Sequence, residues 1–130
     1  MKQTQLQDVI KLFQSQKAIV LAYFFGSRST NSFNKFSDYD FAILLKGLNK
    51  KKAYQIKFQL EDRISRILGT DKIDVLILNT IDQPELMYNV IYSGQLIHEV
   101  EPYRIIFEPQ VLNKYFDFRN QLLKYNLTKA

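Results

Sequence analysis

The feature that most constrains the fold is an uninterrupted apolar run from Ala18 to Phe25. A short run of this kind, without polar alternation, is typical of a strand buried on both faces of a sheet. The rest of the chain must then supply the elements that cover such a sheet, because a single layer cannot bury both of its faces.

Hydrophobic periodicity in the remaining sequence predicts the order helix, strand, strand, helix, strand, helix, strand, helix. This order predicts an α/β or α+β fold in which helices pack against a small mixed sheet. The predicted helices cover residues 4–16, 51–68 (ended by Gly69), Pro84 to Gly94 and Pro102 to Asn126, and the predicted strands cover residues 18–25, 40–45, 72–78 and 95–100.

The last predicted helix contains a proline at position 109. Proline removes a backbone donor and clashes with the preceding turn, so we expect Pro109 to kink this helix or to split it in two. Five apolar side chains of the segment are expected to face inward, namely Leu112, Tyr115, Phe116, Leu122 and Leu123.

Length and composition narrow the class of protein. The 130 residues predict a single domain, 1–130, and no apolar run approaches the roughly 18 residues that a membrane span needs. The N-terminus lacks the apolar region of a signal peptide, which favours the cytoplasm. The absence of cysteine excludes disulfides and thiolate metal sites, and the net charge of +5 leaves a nucleic-acid partner open.

A polar insert, residues 26–37, follows the first strand, and Asp38-Tyr39-Asp40 comes directly after it at the start of the second strand. Alternation along a strand points Asp38 and Asp40 to the same side, where two like charges repel each other unless a cation neutralises them. Oxygen ligands of this type suit Mg²⁺. If the third strand lies beside the second, Asp74 completes a three-carboxylate cluster that suits two metal ions about 3.5–4 Å apart. Asp71 is the alternative third ligand, although it lies outside the apolar run.

Gly26 and Ser27 follow the first strand directly. Glycine permits a tight turn, and Ser27 is expected to cap a short helix that runs toward Asn31. Free backbone N–H groups at a helix start bind phosphate, so this loop predicts a phosphate site beside the predicted metal site.

A Gly-Ser pair followed after ten residues by Asp-x-Asp resembles the signature of the nucleotidyltransferase superfamily that shares the polymerase-β-type palm. The small size resembles the minimal nucleotidyltransferases, which are often encoded beside a HEPN-domain protein as toxin–antitoxin pairs. The resemblance spans the whole chain, including the third acid in "DKIDVLIL" and the C-terminal segment.

The resemblance implies that Gly26, Ser27 and Arg28 hold the triphosphate of ATP and that Asp38, Asp40 and Asp74 bind two Mg²⁺ ions. It implies transfer of AMP to a hydroxyl group, with a tyrosine of a HEPN ribonuclease toxin as the acceptor. Only one helical segment remains beyond the catalytic unit, which favours an acceptor on another chain. Homo- and hetero-oligomers both remain open.

The sequence departs from the family pattern at Thr30 and Asn31, where an arginine and a glycine are common. The loss of one phosphate-facing cation puts the strength of nucleotide binding in question. These departures keep open a binding-only antitoxin with a decayed nucleotide site. Two further alternatives concern the acceptor, namely transfer to a small hydroxylated molecule and transfer to an RNA 3′ end.

Overall fold

The apolar run forms one of the two inner strands of a four-stranded sheet, whose strand order is β3 (Ile73–Ile77), β2 (Tyr39–Leu45), β1 (Ile19–Phe25) and β4 (Gln95–Glu99). The computed structural model describes residues 1–26, 28, 38–47 and 49–125. Strand β1 pairs with β2 and β4 in antiparallel orientation, whereas β2 and β3 are parallel, so the sheet is mixed as expected. The elements are α1 (Gln3–Gln14), β1 (Ile19–Phe25), β2 (Tyr39–Leu45), α2 (Lys50–Leu68), β3 (Ile73–Ile77), α3 (Pro84–Ser93), β4 (Gln95–Glu99) and α4 (Tyr103–Lys124), with a short 3₁₀ turn at Leu78–Thr80.

Local sequence signals fix the helix ends. The Asn49 side chain accepts a hydrogen bond from the Lys52 N–H at the start of α2, and Gly69 ends that helix in a left-handed conformation, as predicted. Pro84 occupies the first turn of α3, where its missing N–H has no helical partner to lose.

Each face of the sheet carries its own hydrophobic core. Helices α1 and α2 cover one face, and that larger core includes Phe13, Phe41 and Ile64. Helices α3 and α4 cover the other face, whose smaller core is built around Tyr23, Leu78 and Val90. The expectation that β1 is buried on both faces is confirmed, because its first six residues are all buried.

Helix α4 corrects two expectations. Pro109 lies inside one continuous helix, so the expected split into two pieces is wrong, and the alternative expectation, a kink at Pro109, stays a prediction. Pro109 and Ile105 are both exposed, so water can satisfy the Ile105 carbonyl that the proline leaves without a donor. Phe116 and Leu123 do not face inward as predicted, since 50% and 38% of their surfaces are exposed. The last predicted helical residue, Asn126, lies outside the described part of the chain.

The topology brings the end of β1 and the starts of β2 and β3 to one end of the sheet. Phe25 is paired with Asp40, and Asp40 is paired with Asp74. Asp40 and Asp74 therefore meet at this end.

Candidate active site

Two of the three predicted acidic ligands are neighbours on adjacent strands. Asp40 and Asp74 are the second residues of β2 and β3, and they are direct partners in the parallel register. The Tyr39 N–H donates to the Lys72 carbonyl over 2.9 Å, which joins the strands at this level. Aligned residues of neighbouring strands project to the same face about 4.8 Å apart. The expected adjacency of Asp40 and Asp74 is confirmed.

The alternation of β2 decides which face carries the acids. Phe41 and Ile43 belong to the core under α1 and α2, whereas Ala42 belongs to the core under α3 and α4. Asp40 has the parity of Ala42, and Asp74 has the parity of Leu76, which packs against the same smaller core. Both carboxylates therefore lie at the end of the face that α3 and α4 cover.

Gly26 makes room for the Asp40 side chain. The residue has φ of 81°, a conformation that favours glycine, and a Cβ atom built on it would collide with Asp40 Oδ2. The Asp40 carboxylate thus lies directly against the backbone that follows β1. A larger residue at position 26 would have to displace it.

The electrostatic environment of Asp40 is unusual for an aspartate. Burial, together with the nearby charges of Asp74 and Asp38, raises the pKa of Asp40 from an ordinary 3.8 to about 6. A carboxylate with this combination of burial and like-charged neighbours is a candidate for a functional group. A bound cation would favour its ionised form.

The chemistry of this donor set fits a hard divalent cation. Carboxylate oxygens are the ligands that Mg²⁺ prefers, and such ions are usually held by one or two carboxylates together with substrate phosphates. Within residues 1–26, 28, 38–47 and 49–125, no three acidic or histidine side chains converge into a ready-made metal site. Asp38 is exposed just before β2. Asp40 and Asp74 would therefore be the first carboxylates to hold an ion, and Asp38 would have to turn toward it.

The predicted phosphate loop is described only in part. Gly26 lies against Asp40, as above, whereas Ser27, Thr30 and Asn31 lie outside the described residues. The Arg28 guanidinium carbon is 4.4 Å from the centroid of the Tyr39 ring. Arg28 therefore lies at the same end of the sheet as the acids, and its contact with a triphosphate stays a prediction.

Two residues of α2 that sequence reasoning missed contact the start of β3. Lys57 Nζ lies 3.3 Å from Asp74 Oδ1 and 3.1 Å from Glu61 Oε2, and it also donates to the Val75 carbonyl. Glu61 Oε2 accepts the Val75 N–H at 2.9 Å. The spacing of Lys57 and Glu61, four residues apart on a helix, is a visible signal for an ion pair. Nothing in that spacing links the pair to Asp74.

Comparison with known families and structures agrees with this arrangement. Residues 7–102 match the family described as polymerase beta, nucleotidyltransferase. Among curated proteins, none matches the chain significantly. Among the helices of the described residues, none combines the length and apolarity that crossing a membrane requires.

Several solved structures with similar folds are toxin–antitoxin complexes. A mutant of the MntA–HepT toxin–antitoxin matches with a TM-score of 0.75 and 19% identity over 92% of this chain and 94% of the other. A chain from the complex of the Shewanella oneidensis tri-AMPylated HEPN toxin with MNT antitoxin matches with a TM-score of 0.70 and 19% identity. The match covers 96% of this chain and 95% of the other. A toxin–antitoxin with AMP-PNP matches with a TM-score of 0.72 and 17% identity over 96% and 95%. At these identities the likeness concerns the fold.

Proposed function

Because the chain belongs to the polymerase beta nucleotidyltransferase family, we propose that it transfers AMP from ATP to a hydroxyl group with the help of Mg²⁺. The observation that carries this proposal is the pairing of Asp40 with Asp74 beside Gly26. The acceptor oxygen attacks the α-phosphorus of ATP, the bond to the β-phosphate oxygen breaks, and pyrophosphate leaves.

The chain's own residues bind, orient and accept a proton. Asp38, Asp40 and Asp74 would hold two Mg²⁺ ions, and Gly26, Ser27 and Arg28 would receive the triphosphate. When bound, Mg²⁺ would neutralise triphosphate charge and lower the pKa of the acceptor hydroxyl. Asp74 is our candidate for the group that receives the acceptor's proton, because half of its side chain is exposed at the site. Positioning and charge neutralisation would supply most of the rate.

We further propose that the acceptor is a tyrosine of a HEPN ribonuclease toxin and that the transfer silences it, which makes this chain the antitoxin. The support is the similarity in fold to toxin–antitoxin chains, in one of which the HEPN toxin is tri-AMPylated. Large exposed apolar side chains on α4, including Ile105 and Phe116, also favour a protein partner. ATP as donor would fit a cytoplasmic setting.

Label transfer from α-³²P-ATP tests the proposal. The chain is incubated with Mg²⁺ and the product of the adjacent gene, which the proposal expects to be a HEPN-domain protein, and label and intact mass of that product are measured. We expect a mass gain of whole AMP units that disappears in Asp38→Ala/Asp40→Ala. Asp71→Ala is the matched control, because Asp71 is an exposed acid just outside β3. It should retain transfer, whereas Asp74→Ala should lose it.

Two outcomes would overturn the proposal. Equal labelling by the wild type and the double variant would remove the aspartates from the mechanism. No label on the partner, together with unchanged partner binding by both proteins, would indicate a binding-only antitoxin. Label on RNA or on a small molecule, with none on the partner, would redirect the acceptor to one of the alternatives named above.

A further inference from the structure

We propose that Lys57 is a positioning residue that orients the Asp74 carboxylate toward a divalent cation. This inference rests on the proposed function, because it concerns the same site. Lys57 lies on α2, which packs along β3. The Lys57 ammonium therefore contacts Asp74 from a neighbouring helix and not from β3 itself. Its role would be to hold one oxygen of Asp74 so that the carboxylate faces Asp40.

The hydrogen bonds of Lys57 are fully used at this point. A lysine ammonium has three donors, and Lys57 Nζ has three recorded acceptors: Glu61 Oε2, the Val75 carbonyl and Asp74 Oδ1. Two of these acceptors are fixed by the fold, because one is a backbone carbonyl of β3 and the other is a carboxylate that also accepts the Val75 N–H. The third bond therefore gives Asp74 a fixed point of attachment.

Burial separates the fixed partners from the one that needs orienting. The side chains of Lys57 and Glu61 are each 21% exposed, whereas the side chain of Asp74 is 55% exposed. An aspartate so exposed samples several rotamers in water unless a neighbour holds it. In metal sites, hydrogen bonds to the ligands commonly orient them, and their loss costs about 10–100-fold in metal affinity.

A purely structural role would look different. The Lys57–Glu61 pair satisfies both backbone groups of Val75 on the open edge of the sheet, and this alone would stabilise the fold. In that case, loss of Lys57 would lower the unfolding midpoint without weakening metal binding. The metal affinity of a variant without Lys57 therefore distinguishes the two roles.

The direction in which cation affinity changes when Lys57 is replaced tests the inference. Taking a positive charge away from a cation site would by itself tighten cation binding. Weaker binding in Lys57→Met would therefore come from lost orientation. We would measure Mn²⁺ binding to the full-length chain by electron paramagnetic resonance, with no nucleotide or partner present, and record the unfolding midpoint of each variant alongside.

The expected result is a Kd for Mn²⁺ about tenfold higher in Lys57→Met than in the wild type. Lys51→Met is the matched control, since it removes an exposed lysine from the first turn of the same helix and should leave the Kd unchanged. Glu61→Gln should weaken binding less than Lys57→Met, because an amide oxygen can still accept from Val75 N–H and Lys57. Asp74→Asn should weaken it most.

An unchanged or lower Kd in Lys57→Met would overturn the inference. If the wild type also labels its partner, only the role of Lys57 fails and the proposed function stands. Wild-type protein that binds no Mn²⁺ would overturn both this inference and the metal assignment of the proposed function.

Discussion

The two faces of the sheet are built from the same strands and bury different chemistry. The face under α1 and α2 carries the larger hydrophobic core, with Phe13, Phe24 and Phe41 in contact. The face under α3 and α4 buries fewer residues, contains the Tyr23–Glu108 hydrogen bond, and ends in Asp40 and Asp74. One face thus supplies stability, and this leaves the other free to carry groups that cost stability. Substitutions on each face test this division.

The largest effect is expected from breaking the apolar face. Phe41→Ala removes a fully buried ring and should lower the free energy of unfolding by about 3–5 kcal/mol. Phe58→Ala on α2 is the control, because 62% of that side chain is exposed, and it should cost less than about 0.5 kcal/mol. Chemical denaturation measures both. A similar cost for the two variants would contradict the assignment of this face as the main core.

The next largest effect is expected at Gly26, where the backbone after β1 lies against the Asp40 carboxylate. Gly26→Ala should cost about 2 kcal/mol, because it adds a contact with Asp40 to the strain of a positive φ, and it should also reduce nucleotidyl transfer. Gly47 has a similar φ of 79°, and no atom of the described residues lies within 4 Å of a Cβ built there, so Gly47→Ala should carry the conformational cost alone. Unfolding and transfer assays compare the two variants. Equal losses would show that the Asp40 contact has no consequence.

A smaller effect is expected from the polar link on the second face. The Tyr23 hydroxyl donates to Glu108 Oε2 over 2.7 Å, and burial together with this bond raises the pKa of Tyr23 well above its usual range. Tyr23→Phe should cost about 1.5 kcal/mol, since Glu108 keeps its contact with Arg104. Tyr54→Phe, at an exposed position, should be neutral. A neutral Tyr23→Phe would mean that α4 is held by apolar contacts alone.

The smallest expected effect is a gain in stability, from substitution of Asp40. The pKa of Asp40 is about 6 in the folded chain against an ordinary 3.8, so the folded state holds this proton more tightly and the free energy of unfolding should fall as pH rises from about 4 to about 6. In EDTA at pH 7.5, Asp40→Asn should be more stable than the wild type by about 1 kcal/mol after allowance for solvent screening.

Unfolding curves across this pH range test the prediction. They are compared with those of Asp8→Asn, which removes an exposed acid on α1. A wild type whose stability rises through the same interval would contradict the raised pKa of Asp40 and its attribution to burial and to the charges of Asp74 and Asp38.

Much of this architecture was predictable because its signals are local. The apolar run from Ala18 identified an inner strand of the sheet, and Asp74, the single acid among apolar neighbours, identified the partner of Asp40. These inferences depend only on side-chain alternation and on the tendency of neighbouring strands to pair.

The failures arise where the outcome depends on other elements. Periodicity showed that α4 has an apolar face, but it does not say whether the chain's own core covers Phe116 and Leu123. Pro109 was expected to kink or split its helix, and the helix continues through the proline, which lies on an exposed side. The contact between Lys57 and Asp74 could not be inferred, because it depends on where α2 lies along the edge of β3.

The side chain of Asn79 determines which residues can meet at the opposite end of the sheet. Its amide accepts from the Leu45 N–H over 2.8 Å and donates to the Leu45 carbonyl over 2.9 Å, so it imitates the backbone of one more strand residue. A two-residue slip of β3 along β2 would bring Lys72 or Leu76 opposite Asp40 and would break both of these bonds. The neutral amide of Asn79 therefore helps to keep Asp40 and Asp74 in register from the far end of β3. A substitution at Asn79 could alter the site without contacting it.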